Sequence, residues 1–243
     1  MKTVVINGSP SGKNGKTWWT LERFIKGMEE AGSEVTTIHL VGKKIHYCTG
    51  EIACWLKTPG KCIHKDDMEN FLSIIRESQN IVLGTPVYVD GMTGLLKNFI
   101  DRLVPLSEPF FKQQDGHTRH VKKQSSPSNL ALVSVCGYPE TDNFDPLIVH
   151  IKAICKNMEA NYAGAVLVPA APGIDSGKMF HPIKLMKISD AIKKAGAEFI
   201  KDGKISDNTA SQTSVALFSK DDYVNAANKF FEKELKKINT TCS

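Results

Sequence analysis

The stretch NGSPSGKNGKTWW, from Asn7 to Trp19, gathers hydroxyls, amides and cations among glycines. Residues of these types hold phosphates when a strand feeds them into a helix N-terminus. Gly15-Lys16-Thr17 is the closing triplet of a nucleoside-triphosphate loop. The opening glycine of that loop belongs at position 10, where this chain has Pro10. Proline has no N–H and a locked φ, so the backbone cannot wrap a triphosphate there. A metal-dependent NTPase also needs an acidic residue at the end of a later strand. The candidate strands end in Gly84-Thr85-Pro86 and Cys136-Gly137, which supply none. Ser9, Ser11 and Thr17 as hydroxyl donors, with Lys16 as the charge, suit a terminal monophosphate instead. An ordinary strand-to-helix turn with a serine cap is the plainer alternative, and it leaves the density of hydroxyls unexplained.

Two further segments suit the rest of a mononucleotide such as FMN. In TPVYVDGMTGLLKNFIDR, Pro86 turns the chain out of a strand, and Val87 and Tyr88 are set to lie against a planar ring. Gly91 and Gly94 permit close backbone approach. In SVCGYPE, Cys136 and Gly137 leave a later strand beside the same crevice. Alone, each has an ordinary explanation: Tyr88 as a core residue before a helix, and Cys136 as a small buried one.

These loops need an alternating framework to position them. Apolar β-branched runs predict strands at Thr3–Asn7, Glu34–Leu40, Asn80–Thr85, Asn129–Cys136 and Tyr162–Val168. Helical spacing predicts helices at Thr17–Ala31, Asp66–Ser78, Thr93–Val104, Asp145–Ala160 and Pro182–Lys201. Strand–helix alternation implies parallel pairing with right-handed crossovers. Near-continuous apolar strands such as LALVSV imply a sheet covered on both faces. The expected fold is α/β, a flavodoxin-like doubly wound five-stranded parallel sheet of order 2-1-3-4-5, with ligands at the switch point between strands 1 and 3. Three segments fall outside this frame: Ile45–Lys65 with three cysteines, the long polar connection Glu108–Ser128, and a tail from Asp207 with a helical stretch at Lys220–Ile238. Tyr223, Ala227, Phe230 and Phe231 share one face of that stretch, which packs on its own domain or on a second subunit.

Composition narrows the class. The 243 residues are 41% hydrophobic and 23% charged, ordinary for a globular protein. No apolar run comes near the roughly 18 residues of a membrane helix. The start has too short an apolar run for an export signal, so the expected location is cytoplasmic. A net charge of +5 is mild, and no basic stripe with interleaved aromatics argues for nucleic acid. Without an export signal, the six cysteines do not imply a disulfide framework.

Taken in order, GSPSGKNGKT, CTGEIACWLKTPGKC, DDM and GTPVYVDGMTGLLKNFIDR resemble the flavodoxin-like NAD(P)H-dependent FMN reductase family, in its iron–sulfur flavoprotein and NAD(P)H:quinone-type branches. The resemblance is strongest over residues 1–105 and continues through SVCGYPE. It implies that Ser9, Ser11, Asn14, Lys16, Thr17 and Trp18 hold the FMN phosphate. It also implies that Pro86, Val87 and Tyr88, with Cys136 and Gly137, border the flavin ring, to which Gly91 is expected to allow close approach. Dimers or dimers of dimers are usual in that family. The iron–sulfur branch carries C-x2-C-x2-C and a later fourth cysteine. Cys48, Cys54 and Cys62 match the first, third and fourth, but Glu51 stands at the second. A carboxylate is a poor ligand for soft iron–sulfur chemistry. The readings are an iron–sulfur cluster, zinc with His46 or His64 as fourth ligand, and free thiols beside the flavin, which the sequence favours.

The expected function is FMN-dependent NAD(P)H oxidoreduction toward a quinone-like or other small acceptor. The rival is an FMN electron-transfer flavoprotein that does not itself oxidise NAD(P)H. No catalytic side chain is named. His117, Arg119 and His120 are candidates to approach nicotinamide or acceptor from the long connection, and surface or interface residues otherwise. Residues 1–205 are expected to form the FMN-binding domain, and 206–243 a C-terminal helical extension, in a homodimer or homotetramer.

Overall fold

A computed structural model of the chain describes residues 1–123 and 127–241. Seven strands run Lys2–Asn7 (β1), Glu34–His39 (β2), Asn80–Pro86 (β3), Ser107–Gln114 (β4), His117–Lys122 (β5), Asn129–Val135 (β6) and Asn161–Val168 (β7). The α-helices are Lys16–Glu30 (α1), Ala53–Leu56 (α2), Met68–Glu77 (α3), Gly94–Asp101 (α4), Asp145–Met158 (α5), Gly173–Phe180 (α6), Pro182–Lys201 (α7), Asp207–Thr213 (α8) and Lys220–Thr241 (α9).

Five strands form one parallel sheet of order β2-β1-β3-β6-β7, the expected 2-1-3-4-5 arrangement. Successive side chains of a strand face opposite ways. Val4, Ile6, Ile81, Leu83, Leu130 and Leu132 therefore meet Phe71, Leu72, Phe99 and Ile151 of α3, α4 and α5 on one face. Val5, Val82, Ala131 and Val133 meet Leu21, Phe24, Ile192 and Phe199 of α1 and α7 on the other. Both faces are dry, which explains why the strands read as unbroken apolar runs.

Helix α1 lies unusually close to α7. A Cβ on Gly27 would sit 1.8 Å from the Lys193 carbonyl oxygen, and one on Gly196 would sit 2.1 Å from that of Phe24. The two glycines let the backbones of α1 and α7 touch.

The helix expected over Thr93–Val104 stops at Asp101, and Val104–Leu106 is a separate 3-10 turn. Pro105 disfavours continuation of the helix. The polar connection expected over Glu108–Ser128 is mostly an antiparallel hairpin of β4 and β5; residues 124–126 lie outside the described ones. Asp115 (φ 51°) and Gly116 (φ 74°) make its two-residue turn, flanked by the Gln114–His117 pair. Asp-Gly is a strong signal for such a turn. In the tail, Thr209 and Thr213 of α8 are buried, as is Leu217 beyond it. Along α9, Tyr223 and Ala227 are half-buried, while Phe230 and Phe231 are exposed.

Candidate functional site

The first loop is tied down before it reaches α1. Asn7, fully buried at the end of β1, accepts from the Ser9 amide (3.1 Å), donates to the Gly12 carbonyl (3.2 Å) and contacts His39 Nδ1 (3.0 Å). One side chain thus spans the loop. Gly8 donates to the Gly84 carbonyl (2.8 Å), and its own carbonyl accepts from Thr93 Oγ1 (2.7 Å), the cap of α4. A Cβ on Gly8 would lie 2.7 Å from that of Leu96, so only glycine fits this junction.

The loop ends at a helix start without competing groups. Gly15 caps α1 with no side-chain hydrogen bond, and the first turn holds no acidic residue. The Trp18 and Trp19 amides turn back to the Gly15 carbonyl (3.1 and 3.2 Å), the amides before them have no acceptor within the helix, and the helix dipole adds positive potential. Ser9 Oγ accepts from the Ser11 amide at 3.3 Å. A Cβ at Gly15 would fall 2.9 Å from Ser9 Oγ and 3.0 Å from Ser11 Cβ, so these residues converge on one small cradle. Thr17 is buried, Asn14 and Ser11 are exposed, and the Trp18 ring packs edge-on against His39 at 4.7 Å. Burial, then Lys13 and Lys43, hold the His39 imidazole below its ordinary pKa. Lys16 forms an ion pair with Asp175 of α6. Hydroxyls, free amides and a lysine around a glycine-floored cradle fit a phosphate dianion.

Strand β3 lies beside β1, and the second loop leaves its carboxyl end at the switch point. Val87 is fixed by its amide to the Val135 carbonyl (2.8 Å). Tyr88 and Gly91 exchange hydrogen bonds of 2.9 and 3.1 Å around a tight turn. Its central residues, Val89 (φ 47°) and Asp90 (φ 62°), are both left-handed. A β-branched residue is strained in that conformation. Val89 is nevertheless 99% exposed, and Tyr88 is half exposed rather than buried in the core. A Cβ on Gly91 would meet nothing closer than 3.9 Å, and one on Gly94 nothing at all within 4 Å. The chain's own packing therefore does not require glycine at either position.

The third loop borders the same crevice. Cys136 is buried, donates its amide to the Val168 carbonyl (3.1 Å) and accepts at Sγ from the Tyr138 amide (3.4 Å). Burial pushes its thiol up, so the sulfur stays protonated at neutral pH. Gly137 offers its carbonyl to the Tyr223 hydroxyl at 2.5 Å, and Glu140 pairs with Lys220 at 3.2 Å. The beginning of α9 thus closes on this loop. Tyr138, Asp175 and Tyr223 were not among the expected site residues. The first sits within a quoted motif, but the other two arrive from elements that no local motif links to the loops.

His117, Arg119 and His120 lie on β5. The His120 ring packs between Trp55 (4.5 Å) and Phe111 (4.4 Å), and its Nδ1 meets the Glu108 carbonyl at 3.0 Å. These contacts give it a packing role.

Cys48, Glu51, Cys54 and Cys62 line one cavity of 150 Å³ together with Asp101 and Arg102. Cys54 is buried, Cys62 half-buried, and Cys48 and Glu51 exposed. Burial, then the charges of Cys62, Glu51 and Cys48, push the Cys54 thiol up. Cys48, Cys54, Cys62, Cys136 and Cys155 are free, and Cys242 lies outside the described residues. His46 and His64 stack at 5.2 Å. Among the described residues, no three His, Cys, Asp or Glu side chains converge as a single metal ion requires, so the zinc reading finds no donor set. Arg102 is buried, and its Nε has no hydrogen-bond partner.

Residues 1–121 match the family described as NADPH-dependent FMN reductase. An iron-sulfur flavoprotein of Archaeoglobus fulgidus is 41% identical over 140 residues, 58% of this chain and 58% of that protein. One from Methanocaldococcus jannaschii is 36% identical over 106 residues, 44% of this chain and 53% of that protein. The chain thus spans little more than half the length of the curated relatives it matches. Among solved structures, an FMN-dependent NADH-azoreductase from Bacillus anthracis superposes with TM-score 0.58 at 13% identity, covering 82% of this chain and 99% of that one. An NAD(P)H:quinone oxidoreductase from Methanothermobacter marburgensis gives TM-score 0.57 at 13% identity, covering 82% and 96%. The fold is therefore flavodoxin-like, and residues 1–121 are similar to the NADPH-dependent FMN reductase family.

Proposed function

We propose that the chain is an FMN-dependent NAD(P)H oxidoreductase that passes electrons from a reduced nicotinamide to a quinone-like or other small acceptor. One observation carries this reading. The Ser9–Ser11–Gly15 cradle opens at the start of α1, at the same carboxyl end of the sheet as the exposed Tyr88–Gly91 turn and the Cys136–Gly137 loop, on the adjacent strands β1, β3 and β6. In this reading Ser9, Ser11, Asn14, Lys16 and Thr17 hold the phosphate, with Trp18 behind them. Pro86, Val87, Tyr88 and Gly91 lie along the ring, and Cys136 and Gly137 edge it. Bound FMN supplies the hydride and electron chemistry. The chain's residues bind and orient it, and the protonated Cys136 thiol adds no charge beside the ring. The names of the relatives and structural neighbours point the same way, toward flavin, nicotinamide and small acceptors. A homodimer or homotetramer belongs to this reading, and sedimentation of the purified protein tests it.

The cysteine cavity favours a second reading, an FMN electron-transfer flavoprotein without NAD(P)H oxidation of its own. One experiment separates the two. The visible spectrum of anaerobically purified, FMN-loaded protein is recorded before and after NADH or NADPH. Flavin bands that bleach support the oxidoreductase. Bands that persist support the carrier, and a protein that takes up no FMN sinks both.

A further inference from the structure

The DGHTRH segment of the long polar connection finds no place in the flavin reading, and the fold gives it another. Helix α4 starts beyond the carboxyl end of β3, and the chain re-enters the sheet at Asn129, the amino end of β6. The β4–β5 hairpin between them therefore stands at the opposite end of the sheet from the three loops described above. Lys122 ties it there, donating to the carbonyls of Pro127 (3.0 Å) and Glu159 (3.1 Å), just before β6 and β7. Between the hairpin and the ends of α4 and α5 lies a cavity of 480 Å³. That is within the roughly 300–1,000 Å³ usual for small-molecule sites.

The cavity has an apolar side and a cationic side. Ile100, Leu103, Leu106 and Met158 supply the first. Phe111 and His120 add a wall of rings, 4.4 Å apart, and Trp55 backs His120 at 4.5 Å. Phe111 is 67% exposed although it lines the cavity, so much of its ring is open to a further planar group. Among the described residues, no carboxylate lines the cavity. The hairpin lysines are already engaged. Lys112 pairs with Glu159 (2.7 Å), Lys122 donates to the two carbonyls above, and Lys123 donates to the Pro105 carbonyl (3.1 Å). Arg119 differs. It is half-buried, and among the described residues it donates only to the carbonyl of its neighbour Thr118 (3.1 Å) and pairs with no carboxylate. A guanidinium fork matches a carboxylate with two parallel hydrogen bonds.

We propose that this cavity binds a small aromatic carboxylate, its ring against Phe111 and the apolar side and its carboxylate on Arg119. Each part of the ligand answers a wall of the site. The open Phe111 face and the leucine side chains call for a planar apolar body. The unpaired guanidinium calls for a single negative charge. A dinucleotide would carry a second phosphate onto leucine and methionine side chains, where an unpaired charge is costly. Binding is non-covalent and lies away from the three loops, so the inference does not rest on the flavin reading.

The test is calorimetric titration of the full chain, with and without added FMN. The probes are naphthoate, its neutral counterpart naphthamide, and acetate, which has the charge without the rings. Naphthoate is expected to bind one to one, and the other two about tenfold or more weakly. Arg119→Gln should weaken naphthoate roughly tenfold, to the level of naphthamide. Phe111→Ala should weaken naphthoate by about three- to tenfold without removing its preference over naphthamide. Phe111 is exposed and Arg119 half-buried, so both variants retain the fold, which circular dichroism checks. No naphthoate binding at millimolar concentration would overturn the proposal. So would equal binding of naphthamide, or an Arg119→Gln variant that binds as wild type does. Naphthoate binding that FMN abolishes would place the probe in the flavin crevice and overturn it as well. A chain that takes up no FMN sinks the flavin reading and leaves the naphthoate result standing.

Discussion

Arg102 Nη1 lies 2.8 Å from Asp66 Oδ2, and each side chain is only 1% exposed. A second bond of 3.2 Å from Nη2 completes the fork, and the amides of His46 (2.9 Å) and Met68 (3.1 Å) add two donors to the same carboxylate. Burial pushes the Asp66 carboxyl up, but the Arg102 fork and the two amides outweigh it and hold it below its ordinary pKa. The pair joins the end of α4 to the segment that enters α3 and to the irregular stretch carrying His46.

Arg102→Leu leaves a buried carboxylate without its cation, at a cost of about 3–5 kcal/mol. Urea unfolding at neutral pH measures it, and an unchanged midpoint would contradict this account of the pair. The pH dependence has a definite sign. A depressed carboxyl contributes fully above the unfolded pKa of about 3.9, and the contribution is lost as pH falls through the lower folded value. Wild-type stability should therefore decline below about pH 4. Asp66→Asn should start lower and show a shallower decline.

Gly27→Ala should destabilise the protein by about 1–3 kcal/mol or more, because the new methyl would stand 1.8 Å from a backbone oxygen of α7 that cannot rotate away. Gly32→Ala is a useful contrast, since a Cβ there has nothing within 4 Å and only the φ of 87° opposes it. Thermal unfolding of the two variants checks the ranking. Equal midpoints would mean that α1 and α7 can separate without loss.

The sheet was legible because its strands are apolar on both faces and short enough to be bounded by Gly, Pro and Asn. The β4–β5 hairpin was not, because its strands carry polar residues such as Gln113, Thr118 and Arg119 on a ribbon outside the main core. Only Asp115-Gly116 announced it. In the site, the convergence of Ser9, Ser11 and Gly15 could be anticipated from one contiguous motif. The Lys16–Asp175 pair and the Tyr223–Gly137 hydrogen bond join residues 159 and 86 positions apart, and no spacing rule reaches that far. No spelling announced that the turn before Gly91 has its left-handed residues at Val89 and Asp90.

Val89→Gly should relieve that strain. A left-handed β-branched residue costs roughly 1–2 kcal/mol, part of which glycine returns through a freer unfolded chain. A net stabilisation of about 0.5–1 kcal/mol is expected in urea unfolding. In the oxidoreductase reading the exposed valine also shapes the approach to the ring, so KM for the acceptor should change while FMN affinity does not. Destabilisation by the glycine would mean that Val89 makes a contact that outweighs its backbone conformation.

Lys16 faces a choice between two anions. Asp175 holds it in this structure, and Lys16 is the first cause of the depressed Asp175 carboxyl; burial opposes it, and Lys178 adds to it. A phosphate in the cradle would compete for the same ammonium. Lys16→Ala should weaken FMN binding by about 1.5–3 kcal/mol, on the order of 10- to 100-fold, as expected for a charge-assisted hydrogen bond. Asp175→Asn should act in the opposite direction. The pair is partly exposed, so releasing it is worth at most about 1 kcal/mol, roughly a fivefold tighter complex at low salt. Fluorescence titration with FMN at two salt concentrations measures both, and the gain from Asp175→Asn should shrink as salt rises. In the double variant the Asp175 substitution should have no further effect, since the lysine it competes for is gone. If Asp175→Asn instead weakens binding, Asp175 is aiming the ammonium at the phosphate rather than withholding it.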